Sequence, residues 1–218
     1  MSGSIIDFFG VLLKFFYVNL VPNYGVSIII LTVLVKIITY PLNKKQMQSA
    51  KKMQEIQPEL KKIQQKYKND KEKLNKATME FMQKNNVNPL AGCLPLLVQF
   101  PILISIFNLL RENPSRLEMV PGFTPYLFPN LELISLLEPD PYYILPVLAG
   151  LTTFWQQKLM ITDPNQKTML YVMPAMLLIL SINFPSGLVL YWIMNNILTV
   201  GQHLLVNRPS VEKAVKEQ

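Results

Sequence analysis

Lys36 is the residue whose type and surroundings are best suited to chemistry, because it is a cation inside an otherwise uncharged apolar stretch. Polar side chains accompany it at spacings of 4, 3 and 4: Thr32, Lys36, Thr39 and Asn43. This spacing places them on one face of a helix. The stripe predicts a wet cavity in which an ammonium group attracts acidic or polar groups. The alternative is that the Lys36 stem only extends its charge to the nearest aqueous boundary.

Other apolar stretches carry polar positions of their own. They are Gln99, Thr152, Thr153, Gln156, Gln157, Trp192, Asn195, Asn196, Thr199 and Gln202. Each one alone is more simply explained as a hydrogen bond between packed helices, worth ~0.6–2 kcal/mol. Together they favour a cavity, because they concentrate in the same half of several helices. We predict a groove lined by Thr32, Lys36, Thr39, Gln99, Gln156, Trp192, Asn195 and Thr199.

The composition excludes several kinds of site. With one cysteine (Cys93) and one histidine (His203), the chain has no internal disulfide, no Cys/His zinc site and no histidine-based metal centre. It contains no glycine-rich nucleotide motif, so we expect neither a cofactor nor enzymatic activity. The pI near 9.4 is better explained by membrane topology and anionic lipids than by nucleic acid.

The elements that must position these residues are membrane-spanning helices. Charged residues make up 16% of the chain, against about 25% in soluble domains, and residues 85–110 contain none. Spanning the bilayer takes about 20 apolar residues. Five stretches qualify or nearly qualify: 24–42, 89–110, 142–160, 169–183 and 186–206. We therefore predict an all-α membrane protein with five transmembrane helices around a groove that opens to the cytoplasm.

The distribution of lysine and arginine predicts the orientation. Residues 44–84 contain 12 lysines, and the cytoplasmic side as a whole receives 17 basic residues against 3 outside, with Lys36 within the membrane. Basic loops stay in the cytoplasm, so the N-terminus is predicted outside and the C-terminus inside. Asp7 and Lys14 interrupt the apolar residues 5–21, which lack the basic start of a signal peptide. We predict an amphipathic helix in the outer interface, with a sixth span as the alternative.

These assignments divide the chain into five parts. They are an outer interfacial helix (1–23), the first span (24–43), a cytoplasmic helical hairpin (44–87), spans two to five (88–206) and a cytoplasmic tail (207–218). Apolar residues at spacings of three and four, on both sides of Asn69 and Asp70, predict the hairpin. Pro58 should kink its first helix or start a new turn. Its lysines either form a solvated face that fixes topology or a docking surface for acidic partners or headgroups.

A set of motifs, in order along the chain, resembles the YidC-type membrane protein insertases. The motifs are residues 40–42 (YPL), 53–58 (MQEIQP), 88–95 (NPLAGCLP), 162–164 (TDP), 173–174 (MP), 184–192 (FPSGLVLYW) and 195–196 (NN). Each motif is weak alone, but the ordered set is specific and covers nearly the whole chain. The match is to the short, Gram-positive-like form without a large outer domain.

The resemblance implies an insertase and folding chaperone of the bacterial cell membrane, which acts alone or with the Sec translocon. It implies nascent membrane proteins, anionic lipids, the ribosome and the signal recognition machinery as partners. The family's groove charge is commonly arginine, which maps onto Lys36. Lysine keeps the charge but loses the bidentate fork of arginine. Two alternatives remain, a small-solute channel or carrier and a non-catalytic membrane assembly subunit. The lack of Asp and Glu in the spans argues against an ion-coupled pump.

Overall fold

The chain is all-helical in the part that the structure describes, which confirms the predicted fold class at that level. A computed structural model describes residues 2–85, 87, 94–111, 125–127, 133–160 and 167–206. The helices are α1 (Ser2–Asn19), α2 (Tyr24–Lys66), α3 (Lys71–Lys84), α4 (Leu94–Arg111), α5 (Ile144–Met160), α6 (Lys167–Ser181) and α7 (Ser186–Val206). Within these ranges the only β-structure is an isolated bridge between Tyr126 and Ser135.

Several predicted features fall outside the described residues. They are Cys93, most of the 88–95 motif, the 162–164 motif, much of the loop that joins α4 to α5, and the tail after residue 206.

Helix α2 is 43 residues long, or about 65 Å at 1.5 Å per residue. It is capped by Asn23, whose side chain accepts a hydrogen bond from the Val26 N–H at 3.0 Å, the usual N-cap arrangement. The predicted boundary at residue 43 is not a break in this helix, which continues through Pro41 and Pro58. One continuous helix therefore carries both the Lys36 stripe and the first arm of the hairpin.

A short turn joins α2 to α3. Asp70 caps α3 by accepting from the Lys73 N–H at 3.0 Å, and its carboxylate also lies 3.0 Å from Lys73 Nζ. These contacts, the backbone bond first, lower the pKa of Asp70. The hairpin buries little: α3 has no buried residue, while α2 contributes Met47, Gln57 and Leu60.

Helix α7 is the centre of the bundle, since it packs against α2, α4 and α5. The larger apolar core joins it to α1, α2 and α4 through residues such as Leu13, Ile28, Ile106 and Tyr191. A smaller core between α5 and α7 contains Leu145, Ala149, Val189 and Ile193.

The segment 133–140 closes one end of this bundle. The Ser186 hydroxyl donates to the Glu138 carbonyl at 2.7 Å, and the Gly187 N–H donates to the Leu136 carbonyl at 2.8 Å. A Cβ on residue 187 would lie 2.9 Å from that Leu136 oxygen, so only glycine permits the approach. Asp140 accepts from the Leu145 N–H at 2.7 Å and caps α5. The N-termini of α5 and α7 therefore meet at the same closed end.

Large apolar side chains are exposed on the outside of the bundle. Examples are Phe8, Val11, Phe15, Leu151, Trp155, Tyr171, Val172 and Ile179. Contiguous exposed apolar surface marks contact with another apolar phase. By length and composition, α2 and α7 are able to cross a membrane, and shorter apolar stretches lie at Gln99–Asn108 and Thr168–Ser181.

Candidate functional site

Lys36 and Thr199 join the polar stripes of α2 and α7. The Lys36 side chain is 8% exposed, and its Nζ donates to Thr199 Oγ1 at 2.7 Å. The Thr199 hydroxyl in turn donates to the Asn195 carbonyl at 2.6 Å. No carboxylate among the described residues pairs with Lys36. It is a buried cation held by a neutral hydroxyl.

The contact between these stripes continues along both helices, and we call it the α2–α7 seam. Further along, Asn43 Nδ2 lies 3.3 Å from Gln202 Oε1 and 3.3 Å from Thr39 Oγ1. Thr32 is completely buried, and its hydroxyl donates to the Ile28 carbonyl of its own helix at 2.7 Å. The seam therefore carries an ammonium group, hydroxyls and amides, but among its described residues no acid.

A cleft of about 290 Å³ adjoins the seam. It is lined by Val33, Lys36, Ile37, Tyr40, Leu198 and Gln202. Val33, Ile37 and Tyr40 are exposed, so the Lys36 side chain borders a cleft whose rim is apolar and accessible. Such a cleft has room for water or for a polar side chain beside Lys36.

A second polar cluster lies between α5 and α7. Trp192 Nε1 donates to Thr153 Oγ1 at 3.0 Å. The Asn196 amide satisfies both of its ends when its oxygen accepts from Thr153 Oγ1 at 2.8 Å and its NH₂ donates to Gln156 Oε1 at 2.6 Å. This network is closed, because the polar atoms named here pair with one another. It resembles an interhelical contact more than an open binding surface.

A third contact joins α4 to α7. Gln99 Nε2 donates to the hydroxyl of Tyr191 at 2.6 Å, and Tyr191 is completely buried.

The eight predicted groove residues therefore lie on four helices, α2, α4, α5 and α7, and hydrogen bonds from α7 reach α2, α4 and α5 at separate places. On α7, Thr199 bonds to Lys36 of α2, whereas Trp192 bonds to Thr153 of α5. Thr153 and Asn196 lie outside the predicted groove but bond to each other, and Tyr191 is a polar partner that helical spacing does not indicate. The signal for Tyr191 was a phenol hydroxyl in an apolar stretch, which usually needs a partner when buried.

Comparison with known proteins identifies the family. Residues 15–214 match the family described as "60Kd inner membrane protein". The chain is 47% identical over 188 residues to "Membrane protein insertase YidC" of Fusobacterium nucleatum subsp. nucleatum, a match that covers 85% of this chain and 87% of that protein. This chain belongs to the YidC family. The family predicted from the ordered motifs is thereby confirmed.

Other YidC relatives differ in length. "Membrane protein insertase MisCA" of Bacillus subtilis is 40% identical over 90% of this chain and 75% of its own length. The YidC of Geobacter sulfurreducens is 42% identical over 90% of this chain, which spans only 36% of that protein. The crystal structure titled "Active YidC insertase crystal structure with the first transmembrane domain resolved" superimposes with a TM-score of 0.72 at 26% identity, over 93% of this chain and 46% of that one.

Proposed function

We propose that this protein is a membrane protein insertase and chaperone, which inserts and helps fold integral membrane proteins without acting as an enzyme. Membership of the YidC family supports the class of activity. The observation that carries the mechanism is the buried Lys36 side chain, whose ammonium group is bonded to Thr199 and which borders an accessible cleft. A cation that is buried without an acidic partner is costly in a membrane, which favours a functional role.

In this mechanism the groove shortens the apolar barrier for a hydrophilic segment. A short hydrophilic part of the substrate enters from the cytosol and is attracted by Lys36 when it is acidic. The adjoining apolar segment moves along α5 and α7 into lipid. Burial of about 20 apolar residues drives the step, and the membrane potential assists an acidic segment. No nucleotide is required.

We further propose five spans: the first part of α2, then α4, α5, α6 and α7, with α1 in the outer interface. The exposed apolar side chains of α1, α5 and α6 support contact with lipid. The backbone contacts of segment 133–140 with the start of α7 support a closed outer end. The groove would then open toward the cytoplasm, where α2 extends into the hairpin.

The orientation in a bacterial cell membrane is proposed from the lysine distribution, with the N-terminus outside and the C-terminus inside. With Cys93 replaced, a cysteine at Ser135 should react with an impermeant maleimide added to intact cells, while a cysteine at Gln65 should react only after lysis. Labelling in the reverse order would contradict both the orientation and the cytoplasmic opening.

The proposed partners are nascent membrane proteins, anionic lipids, the ribosome, the signal recognition machinery and the Sec translocon. All twelve lysines of residues 44–84 are exposed, which supports a role of the hairpin in contacts with acidic surfaces.

The insertase activity can be tested with purified protein in liposomes. A short single-span substrate should become protected from protease well above the level in protein-free liposomes, because the groove lowers the barrier for its hydrophilic segment. Unchanged protection, with a melting curve that shows folded protein, would contradict the insertase function. As a control, leakage of small solutes is compared between vesicles with and without the protein. Equal leakage would exclude a small-solute channel.

A further inference from the structure

The cleft beside Lys36 is lined mostly by hydrocarbon side chains. Val33 and Ile37 of α2 and Leu198 of α7 contribute to its walls, together with the ring of Tyr40. Val33, Ile37 and Tyr40 are exposed, so the cleft is accessible from the surface of the bundle. Binding sites in proteins are typically concave and mostly apolar, with few polar groups that fix the orientation of what they hold.

The size of the cleft limits what it can hold. Its volume is about 290 Å³. A water molecule takes about 30 Å³ in the liquid, so the cleft holds roughly ten atoms of that size. This space suits one large apolar or aromatic side chain. It is too small for a second helix, whose diameter with side chains is about 10–12 Å.

The cleft and the ammonium group belong to the same side chain. Lys36 lines the cleft while its Nζ donates to Thr199 Oγ1, so the cleft and the charge lie within the length of one lysine side chain. An extended peptide advances by about 3.3–3.6 Å per residue. A segment that brings a carboxylate to Lys36 therefore brings a side chain one or two residues away to the cleft.

The cleft also lies on the side from which the proposed substrate enters. Tyr40, on its rim, is about one helical turn from the predicted cytoplasmic end of the first span at residue 43. A hydrophilic segment that enters from the cytosol therefore passes the rim at Tyr40 before it reaches Lys36.

We propose that this cleft is a specificity pocket for a large apolar or aromatic side chain that lies within about two residues of an acidic residue in the hydrophilic segment of a substrate. This inference rests on the proposed insertase function and names the class of substrate that it prefers. Removal of such a side chain from water is favourable, and the exposed ring of Tyr40 adds an aromatic contact when the side chain is itself aromatic. The charge of Lys36 attracts any acidic segment, whereas charge and cleft together distinguish one acidic segment from another.

The test compares two isomeric substrates whose hydrophilic segments have the same composition. In the near isomer a single leucine follows the acidic residue directly, and in the far isomer the same leucine lies about eight residues away, beyond the reach of the cleft. We expect the unaltered protein in liposomes to insert the near isomer about fivefold better than the far one, which is less than the effect of fully burying a leucine, because the cleft is open.

Ile37 and Ile38 provide a matched pair of positions. Their exposed fractions are 65% and 66%, but Ile37 lines the cleft and Ile38 does not. Ile37→Ala should reduce the preference to about twofold or less, because it removes part of one wall, and Val33→Phe should do the same by filling the cleft. Ile38→Ala should keep the full preference. Tm in detergent should stay the same in both alanine variants, since both side chains are exposed.

Three results would overturn the inference. The first is equal insertion of the two isomers by the unaltered protein, which is also the result expected if a lipid chain fills the cleft. The second is a preference that survives in both Ile37→Ala and Val33→Phe, and the third is its loss in Ile38→Ala. If the unaltered protein inserts neither isomer above the level in protein-free liposomes, the proposed function fails as well, so the two failures are distinguishable.

Discussion

Replacing Lys36 with methionine is expected to reduce insertion of an acidic-tailed substrate about tenfold while the protein stays folded. Two unit charges 4 Å apart attract by about 1 kcal/mol in water and about 4 kcal/mol near a protein surface, and 1.4 kcal/mol already corresponds to tenfold. Folding should survive, because removing an isolated charge from the membrane relieves ~2–3 kcal/mol. The Thr199 hydroxyl also keeps its bond to the Asn195 carbonyl.

Two further substitutions at this position separate charge from shape. Lys36→Arg should retain most activity, since the adjoining cleft of about 290 Å³ can accept the larger guanidinium group. Lys36→Glu should be worse than Lys36→Met for acidic tails, because like charges repel in a poorly screened cavity. Substrates with uncharged tails should respond less to all three. Protease protection measures insertion, and thermal melting in detergent measures folding.

Lys44→Met is the matched control, because it removes one positive charge from the same helix at an exposed position. It should leave insertion of both substrates nearly unchanged. Normal insertion of acidic tails by Lys36→Met would show that Lys36 only anchors its helix at the interface. A marked loss of Tm in Lys36→Met would instead show a structural role.

The helices could be predicted from the sequence because their ends coincide with strong local signals. The breaker residues 183–187 define the start of α7, which runs over Ser186–Val206 as predicted, and α5 begins two residues later than predicted, at Ile144. The continuation of α2 through Pro41 and Pro58 could not be predicted from such local signals. A proline removes one backbone hydrogen bond, but the many remaining bonds of a long helix can hold it together.

For the candidate site, helical periodicity could predict only which polar residues share one face of a helix. Spacings of three and four identified the polar faces of α2 and α7, and these faces do meet, at Lys36–Thr199 and Asn43–Gln202. Periodicity cannot say which neighbour each face contacts when a helix is surrounded on three sides. This is why Trp192, assigned to the same stripe as Thr199, instead bonds to Thr153 on α5.

Deleting residues 54–76 is expected to leave the helical bundle folded and to reduce insertion or partner docking severalfold. Helix α3 has no buried side chain, and its principal packing is against α2, so the hairpin contributes little to the rest of the fold. Lys44, Lys45, Lys51 and Lys52 remain to keep the orientation. The measurements are Tm in detergent and insertion both in liposomes and in membranes that contain ribosomes. A loss of the folded bundle would contradict the peripheral position of the hairpin.

The deletion alone does not show whether the hairpin acts through its charge. A matched variant keeps the hairpin but replaces four exposed lysines, Lys61, Lys62, Lys68 and Lys76, with glutamine. If these lysines bind acidic surfaces, the variant should lose most of the activity that the deletion loses. The activity of the unaltered protein should also fall with added salt, because exposed charges are screened over about 8 Å at physiological ionic strength. If they only fix topology, the variant should insert substrates normally, because the lysines nearest the first span are unchanged. Normal insertion by this variant would contradict the proposal that the hairpin lysines form a docking surface.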